Sequence, residues 1–243
     1  MPVPEGAQYG EAMSKARAWM SWSSGKDSAL ALHTVRAEGE LEVVGLVTTV
    51  NTVADRVAMH AVRRSLLEAQ ADVLGLPLHV VELPWPCPNE VYEQQMTLAC
   101  GEAAKAGVSH MIFGDLFLED IRAYREQSLR EVEMTAVFPL WQRSTMSVAA
   151  AIIEAGIRAV VTCVDPSQAP AALAGRHFDA QLLADLPEGV DPCGENGEFH
   201  TLVYDSPDFR RPLAVAVGDV VARDGFVFAD VEAAPDTASH SPV

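Results

Sequence analysis

Three things are scarce in this 243-residue chain: positive charge, paired cysteine and long apolar runs. Each scarcity removes a class of function. Lys and Arg number 17 against 34 Asp and Glu, giving a formal charge of −17 that repels a polyphosphate backbone and disfavours nucleic acid as a partner. The nearest thing to a basic patch, Arg56, His60, Arg63 and Arg64, is small enough to be a solvated helix face or a phosphate contact. Cys87, Cys100, Cys163 and Cys193 form no C-x-x-C pair, so neither a zinc framework nor a disulfide scaffold is indicated. No run approaches the roughly 18 apolar residues of a membrane span, and the N-terminal stretch lacks the apolar core of a signal peptide. The expected location is the cytoplasm, with no membrane partner. Internal repeats are also lacking, and the pattern specifies no oligomeric state.

What the chain does have is apolar content, 49%, and an alternation of strand-like and helical runs. Strands are predicted at residues 18–22, 42–49, 78–83, 109–114 and 135–140, and helices at 28–37, 59–74, 89–106 and about 118–132. Gly39, Gly75 and Gly107 mark helix ends. Five buried strands with helices between them predict a parallel sheet covered on both faces, whose ligand site lies at the carboxyl ends of the strands. After residue 141 the pattern becomes a helix at 146–155, an apolar run at 157–164, a Pro-rich stretch, and short strands at 201–204, 213–222 and 226–231. The fold class expected is α/β, a five-stranded parallel Rossmann-like sheet with a second, smaller α+β domain. Residues 18–141 form the first domain and 142–232 the second, with disordered tails at 1–17 and 233–243.

The first strand runs into SSGKDS at residues 23–28. Small residues and one lysine ahead of a helix suit a phosphate cradle: backbone N–H groups and the helix dipole converge on an anion, and Lys26 adds a full charge. An ordinary P-loop is excluded, because Met20 stands where its first glycine belongs and Asp27 replaces the Ser or Thr that would hold magnesium. The plainer reading is a Ser-rich cap on an amphipathic helix. The segment resembles the S-G-G-K-D-S signature of the N-type ATP pyrophosphatases, the PP-loop enzymes that release pyrophosphate and leave AMP. Ser24 departs from that signature, adding a Cβ where backbone approaches phosphate or takes a positive φ.

Two later segments add chemistry. In GDLFLEDIRAYRE, residues 114–126, Gly114 and Asp115 end a strand at the site edge, and Glu119, Arg122 and Glu126 share one helical face. They read either as surface ion pairs or as groups around a phosphate, its magnesium or a substrate. In DPCGENGEFHTLVYD, residues 191–205, Gly194, Asn196 and Gly197 constrain a turn that presents Glu195 and Glu198. Such a loop suits magnesium, an ammonium group or an amine nucleophile; the alternative is a Gly-Asn turn with exposed acids.

Together with LGLPL at 74–78 and FPLW at 138–141, these motifs resemble the diphthine-ammonia ligase family of PP-loop ATP pyrophosphatases (adenine nucleotide alpha hydrolase-like) over about residues 18–210. That family adenylates the carboxylate of diphthine and lets ammonia convert it to the amide. Where the family shows G-E-G-G-E-[FY]-E-T, this chain has Asn196 for a glycine and His200 for a glutamate, a variant closer to the family's bacterial branch. Bacteria make no diphthamide, so the resemblance implies the chemistry and leaves the acid open. It implies ATP and Mg2+, a small or protein-borne carboxylate, and ammonia or an amine as reactants. ATP is expected over Ser23, Ser24, Gly25, Lys26, Asp27 and Ser28, with Thr48, Thr49, Gly114 and Asp115 completing its site and Asp27 and Asp115 holding the metal. Lys26, Asp27, Glu195, Glu198 and His200 are the expected catalytic residues. Glu119, Arg122, Glu126 and residues 194–198 are expected to bind substrate. Two other readings remain at this stage: an RNA-modifying PP-loop enzyme, and an ATP- or AMP-binding sensor without catalysis. Cys193 is also a candidate nucleophile for a sulfur-transfer variant.

Overall fold

Alternate residues of the first strand diverge: Ala18 and Met20 enter one apolar cluster and Trp19 the other. That alternation is what a sheet buried on both faces requires. The computed structural model describes residues 14–53, 55–57 and 62–234. In chain order the first sheet is built from β1 (Ala16–Ser21), α1 (Lys26–Glu38), β2 (Leu41–Asn51), β3 (Arg56–Val57), α2 (Arg64–Leu74) and β4 (Leu78–Leu83). It continues with α3 (Asn89–Lys105), β5 (His110–Ile112), α4 (Glu119–Arg130) and β6 (Thr135–Val137). Five strands are parallel in the order β4-β2-β1-β5-β6, and the two-residue β3 adds antiparallel to the end of β2. The expected α/β class and five-strand parallel sheet are observed; β3 is the addition.

Leu46, Val50 and Ile112 join Ala18 and Met20 against Leu30 and Val35 of α1 and Leu66 and Leu67 of α2. Val47, Val81, Met111 and Phe113 face Cys100 and Ala103 of α3 and Leu129 of α4. The helix expected from residue 59 begins instead at Arg64. Arg63 still has extended backbone and bridges to Arg56, while residues 58–61, with His60, lie outside the described residues. The stretches expected as tails fall mostly outside them too; within them, residues 16–17 open β1.

The second unit comprises α5 (Thr145–Glu154), β7 (Arg158–Val164), a 3-10 turn (Ala171–Leu173), α6 (Ala180–Asp185), β8 (Phe199–Asp205), β9 (Val215–Arg223) and β10 (Phe226–Ala233). Its sheet is antiparallel, in the order β8-β7-β10-β9. Val160, Val161, Leu202 and Val203 share one apolar cluster with α1, so the two sheets have a continuous core. Gln70, fully buried in α2, pins the junction. It accepts from Trp22 Nε1 at 2.9 Å and donates to the carbonyls of Ser24 and Val203. Losing such a partner strands buried polar groups at about 1–3 kcal/mol each. Arg56 and Arg63 both donate to Asp230 of β10, and Arg64 pairs with Glu68 and Glu82. The three arginines of the basic cluster are therefore spent on carboxylates. Among the described residues no helix is long and apolar enough to cross a membrane.

Candidate active site

The chain leaves β1 at Ser21 and must reverse sharply to start α1. Ser24 makes that reversal with φ of +68°, in the left-handed region that disfavours a side chain by roughly 1–2 kcal/mol. The strain is held by its surroundings: the Ser24 carbonyl accepts from Val203 N at 2.9 Å and Gln70 Nε2 at 3.1 Å. The first amide of α1, Lys26 N, donates to Thr201 Oγ1 of β8 at 3.1 Å, so the second sheet caps the helix of the first. Gly114, just past β5, comes so close that a Cβ there would lie 2.9 Å from the Asp27 carbonyl carbon and 3.0 Å from Ser28 N. Only glycine lets the end of β5 reach the helix start.

Lys26 is 2% exposed, and its ammonium lies between the Phe178 and Phe199 rings, 5.3 and 5.2 Å from their centroids. It donates to Asp27 Oδ2 at 2.9 Å and to the Cys193 carbonyl. Burial acts against its charge, but Asp27, Cys193 and Glu195 together outweigh it, so Lys26 is held as an ammonium, two of its three N–H donors being taken by Asp27 and the Cys193 carbonyl. Asp27 Oδ1 is buried with no hydrogen-bond partner among the described residues.

The opposite wall is the loop at residues 191–198. Asp191 Oδ1 folds it by accepting from Cys193 N at 2.8 Å and Glu195 N at 3.2 Å. Glu198, 3% exposed, closes it: Oε1 accepts from Asp191 N and Asn196 Nδ2, and Oε2 from Asn196 N. Glu195 turns the other way, across to the first sheet, where Oε1 accepts from Leu116 N at 2.8 Å. Burial, reinforced by Asp27 and Asp115, pushes its carboxyl up to about 7 against the opposing pull of the Leu116 N–H and Lys26. These walls enclose a cavity of about 190 Å³, lined by residues of the β1–α1 turn, the end of β5, the 193–195 loop and the start of β8.

Two family models cover most of the chain: the diphthamide synthase N-terminal domain matches residues 16–136 and the C-terminal domain residues 144–232. The chain belongs to the diphthamide synthase family. Curated relatives include the diphthine–ammonia ligases of Rattus norvegicus, 22% identical over 231 residues, and Homo sapiens, 24% identical over 234 residues; each alignment covers 86% of both chains. The diphthine–ammonia ligase of Danio rerio is 23% identical over 183 residues, covering 66% of this chain and 69% of its own.

In this diphthamide synthase family member the cavity brings together Ser23, Lys26, Asp27, Ser28, Gly114, Asp115, Gly194, Glu195 and His200 from the sequence-derived set. Ser24 is buried beneath the turn, and Gly25 serves as the N-cap of α1. Thr48 and Thr49 lie in β2 against Val80 and Val81 of β4 and do not line the cavity. Nor do Asn196, Gly197 and Glu198, which build the loop behind Glu195. Glu119 is exposed, and Arg122 pairs with Glu126 at 2.7 Å while lying over the Trp141 and Phe138 rings. From that motif it is Arg125 that lines the cavity, donating to Asp115 Oδ1 at 3.0 Å.

The sequence offers His200 as the proton acceptor, on its ordinary titration range. Here burial, then the Lys26 charge, lower it to about 4, against a smaller opposing effect of Glu198. It is a neutral, weak base at neutral pH, whereas the Glu195 carboxyl in the same cavity is raised to about 7. Cys193 donates Sγ–H to the Thr145 carbonyl at 3.2 Å, and burial pushes its thiol well above the ordinary range, which removes it as a thiolate nucleophile. Sequence reasoning misses Gln70, Asp191, Thr201 and Arg125. Arg125, Asp191 and Thr201 sit inside motifs already marked by their polar density; Gln70 carries no local signal, because its role exists only when α2 meets β8.

Proposed function

We propose that this protein is an ATP-dependent ligase of the PP-loop type that joins a carboxylic acid to ammonia or an amine through an acyl adenylate. The observation that supports this reading is the meeting, in one cavity, of an ammonium at a helix N-terminus and a carboxyl group raised to about 7. The ammonium suits charge building on a departing pyrophosphate, and the carboxyl suits removal of a proton from an attacking nitrogen. The relatives' printed name, diphthine–ammonia ligase, supports the same reaction class.

ATP, as substrate, lies with its phosphates over residues 23–28 of the unit at 16–136. A carboxylate oxygen of the acid attacks the α-phosphorus, and the bond to the bridging oxygen breaks, releasing pyrophosphate beside Lys26. Ammonia then adds to the acyl carbonyl, Glu195 accepts a proton from the nitrogen, and AMP leaves with the electron pair of the broken C–O bond. The loop at 191–198 keeps water from that carbonyl by covering it from the second sheet. A magnesium ion fits this cleft, because it takes one or two carboxylates and completes its shell with phosphate and water. Asp27, with its unpartnered Oδ1, and Asp115 would hold it, and it would neutralise triphosphate charge.

The test is formation of AMP and pyrophosphate from ATP, ammonium and a panel of carboxylic acids. Lys26→Ala should lower the rate at least about 100-fold with the fold retained by circular dichroism. Full pyrophosphate release in Lys26→Ala removes the phosphate placement. ATP left intact with every acid favours a nucleotide sensor, and salt-sensitive tRNA binding favours RNA modification.

A further inference from the structure

A second cavity, about 250 Å³, opens between α3 and α4 on the face of the sheet opposite α1. Its floor is apolar: Met96, Cys100, Met111 and Leu129, with Tyr92 and Ile121 on its sides. Phe113 and Arg125 line both this cavity and the polar cleft, so the two are neighbours across one ring and one guanidinium. Arg125 is stacked on Phe113, its Cζ 4.2 Å from the ring centroid, and its Nη2 donates to Asp115 Oδ1. Its Nε is buried and has no hydrogen-bond partner among the described residues. A buried guanidinium N–H without a partner is costly, and a carboxylate is the group whose geometry matches it.

We propose that this apolar cavity receives the body of the substrate acid, an uncharged aliphatic or aromatic chain, while Arg125 holds its carboxylate at the junction with the ATP cleft. The inference rests on the ligase reading given above and adds the substrate class. The acid therefore seats on the first unit, beside the nucleotide, while the second sheet contributes the loop that covers it. Arg125 does two things in this arrangement: the edge of its guanidinium not given to Asp115 binds the carboxylate, and its pairing with Asp115 fixes the guanidinium plane on Phe113.

The experiment measures calorimetric binding, without ATP, of straight-chain acids from acetate to octanoate and of phenylpropionate, and in parallel the KM of each acid for AMP formation. Each added methylene should tighten binding about fourfold until the cavity is full, from roughly 0.8 kcal/mol per buried CH₂. Thr97→Trp, at the exposed rim, should flatten that chain-length dependence, and Arg125→Gln should weaken the ATP-free binding of every acid at least tenfold. Equal binding of acetate and octanoate, or tighter binding of acids with a cationic body, overturns the proposed class. Retained affinity in Arg125→Gln overturns the carboxylate contact. Because binding is read without ATP, graded acid binding with no AMP formed would leave this cavity assignment standing and remove the ligase reading, whereas AMP formation indifferent to chain length would do the reverse.

Discussion

The two loops that face each other across the cleft are built differently. The turn at 23–28 is held through its own backbone groups by residues far along the chain: Ser24 is in the left-handed region, its carbonyl is taken by Gln70 and Val203, and the α1 amide of Lys26 is taken by Thr201. The loop at 191–198 is fixed by side-chain carboxylates, with Asp191 and Glu198 accepting its amides. One consequence is that two glutamates three residues apart, alike in sequence, have unlike roles. Glu198 is consumed in holding the loop, and Glu195 is left facing the cavity.

The widest separation between them is expected in rate. Glu195→Gln keeps the shape and the Leu116 contact but cannot take a proton, so the ligase rate should fall about 10²–10⁴-fold with ATP affinity intact. Glu198→Gln cannot accept from all three loop donors, and should instead cost about 2–3 kcal/mol of stability and lower the rate only as far as the loop loosens. Denaturant titration alongside single-turnover AMP formation separates the two. A larger rate loss in a fully folded Glu198→Gln would reverse the assignment.

Titration gives a second, smaller contrast. Glu195 is raised from the ordinary 4.5 to about 7, so the folded state binds more protons and stability falls as pH rises through that window. His200 is lowered from 6.5 to about 4, so the unfolded state binds more protons and stability rises with pH between those values. The two slopes oppose each other over pH 4.5 to 6.5 in the intact protein. Glu195→Gln should expose the rising slope and gain on the order of 2 kcal/mol over the parent at pH 8, after allowing for solvent screening. Urea midpoints at pH 5 and pH 8 check it; an unchanged difference between the two proteins at both pH values would mean that Glu195 ionises as freely as an exposed acid.

The difference between the loops also explains what the sequence made legible. Backbone devices are written in small residues, so the turn at 23–28, the place of Gly114 at a strand end on the site edge and the five parallel strands could be read directly. Side-chain division of labour depends on which neighbour arrives from far along the chain. Glu195 meets Leu116 and Glu198 meets its own loop, and nothing in the spacing of the two acids distinguishes those fates. The row Glu119, Arg122 and Glu126 illustrates the same limit: helical spacing correctly placed Arg122 and Glu126 together, but Phe138 and Trp141 cover Arg122, while Arg125 points to the cleft. The lowered titration of His200 follows from its burial and then from Lys26, which are properties of the β8–α1 contact and not of the motif.

The smallest effect is expected at Ser24, where the backbone-built loop departs from the glycine of its signature. Glycine at φ of +68° avoids the left-handed penalty but loses more conformational freedom on folding, and Ser24→Gly also gives up the hydroxyl contact to the Ser23 carbonyl. Those changes oppose one another, so stability should shift by less than about 1 kcal/mol and AMP formation by less than about twofold. Ser24→Ala isolates the backbone term, because it loses the same hydroxyl and keeps the Cβ. It should be less stable than Ser24→Gly by about 1 kcal/mol. Equal stability of the two variants, read by chemical denaturation, would mean that the turn relaxes out of the left-handed region when the hydroxyl is gone, and that Gln70 and Val203 do not hold it there.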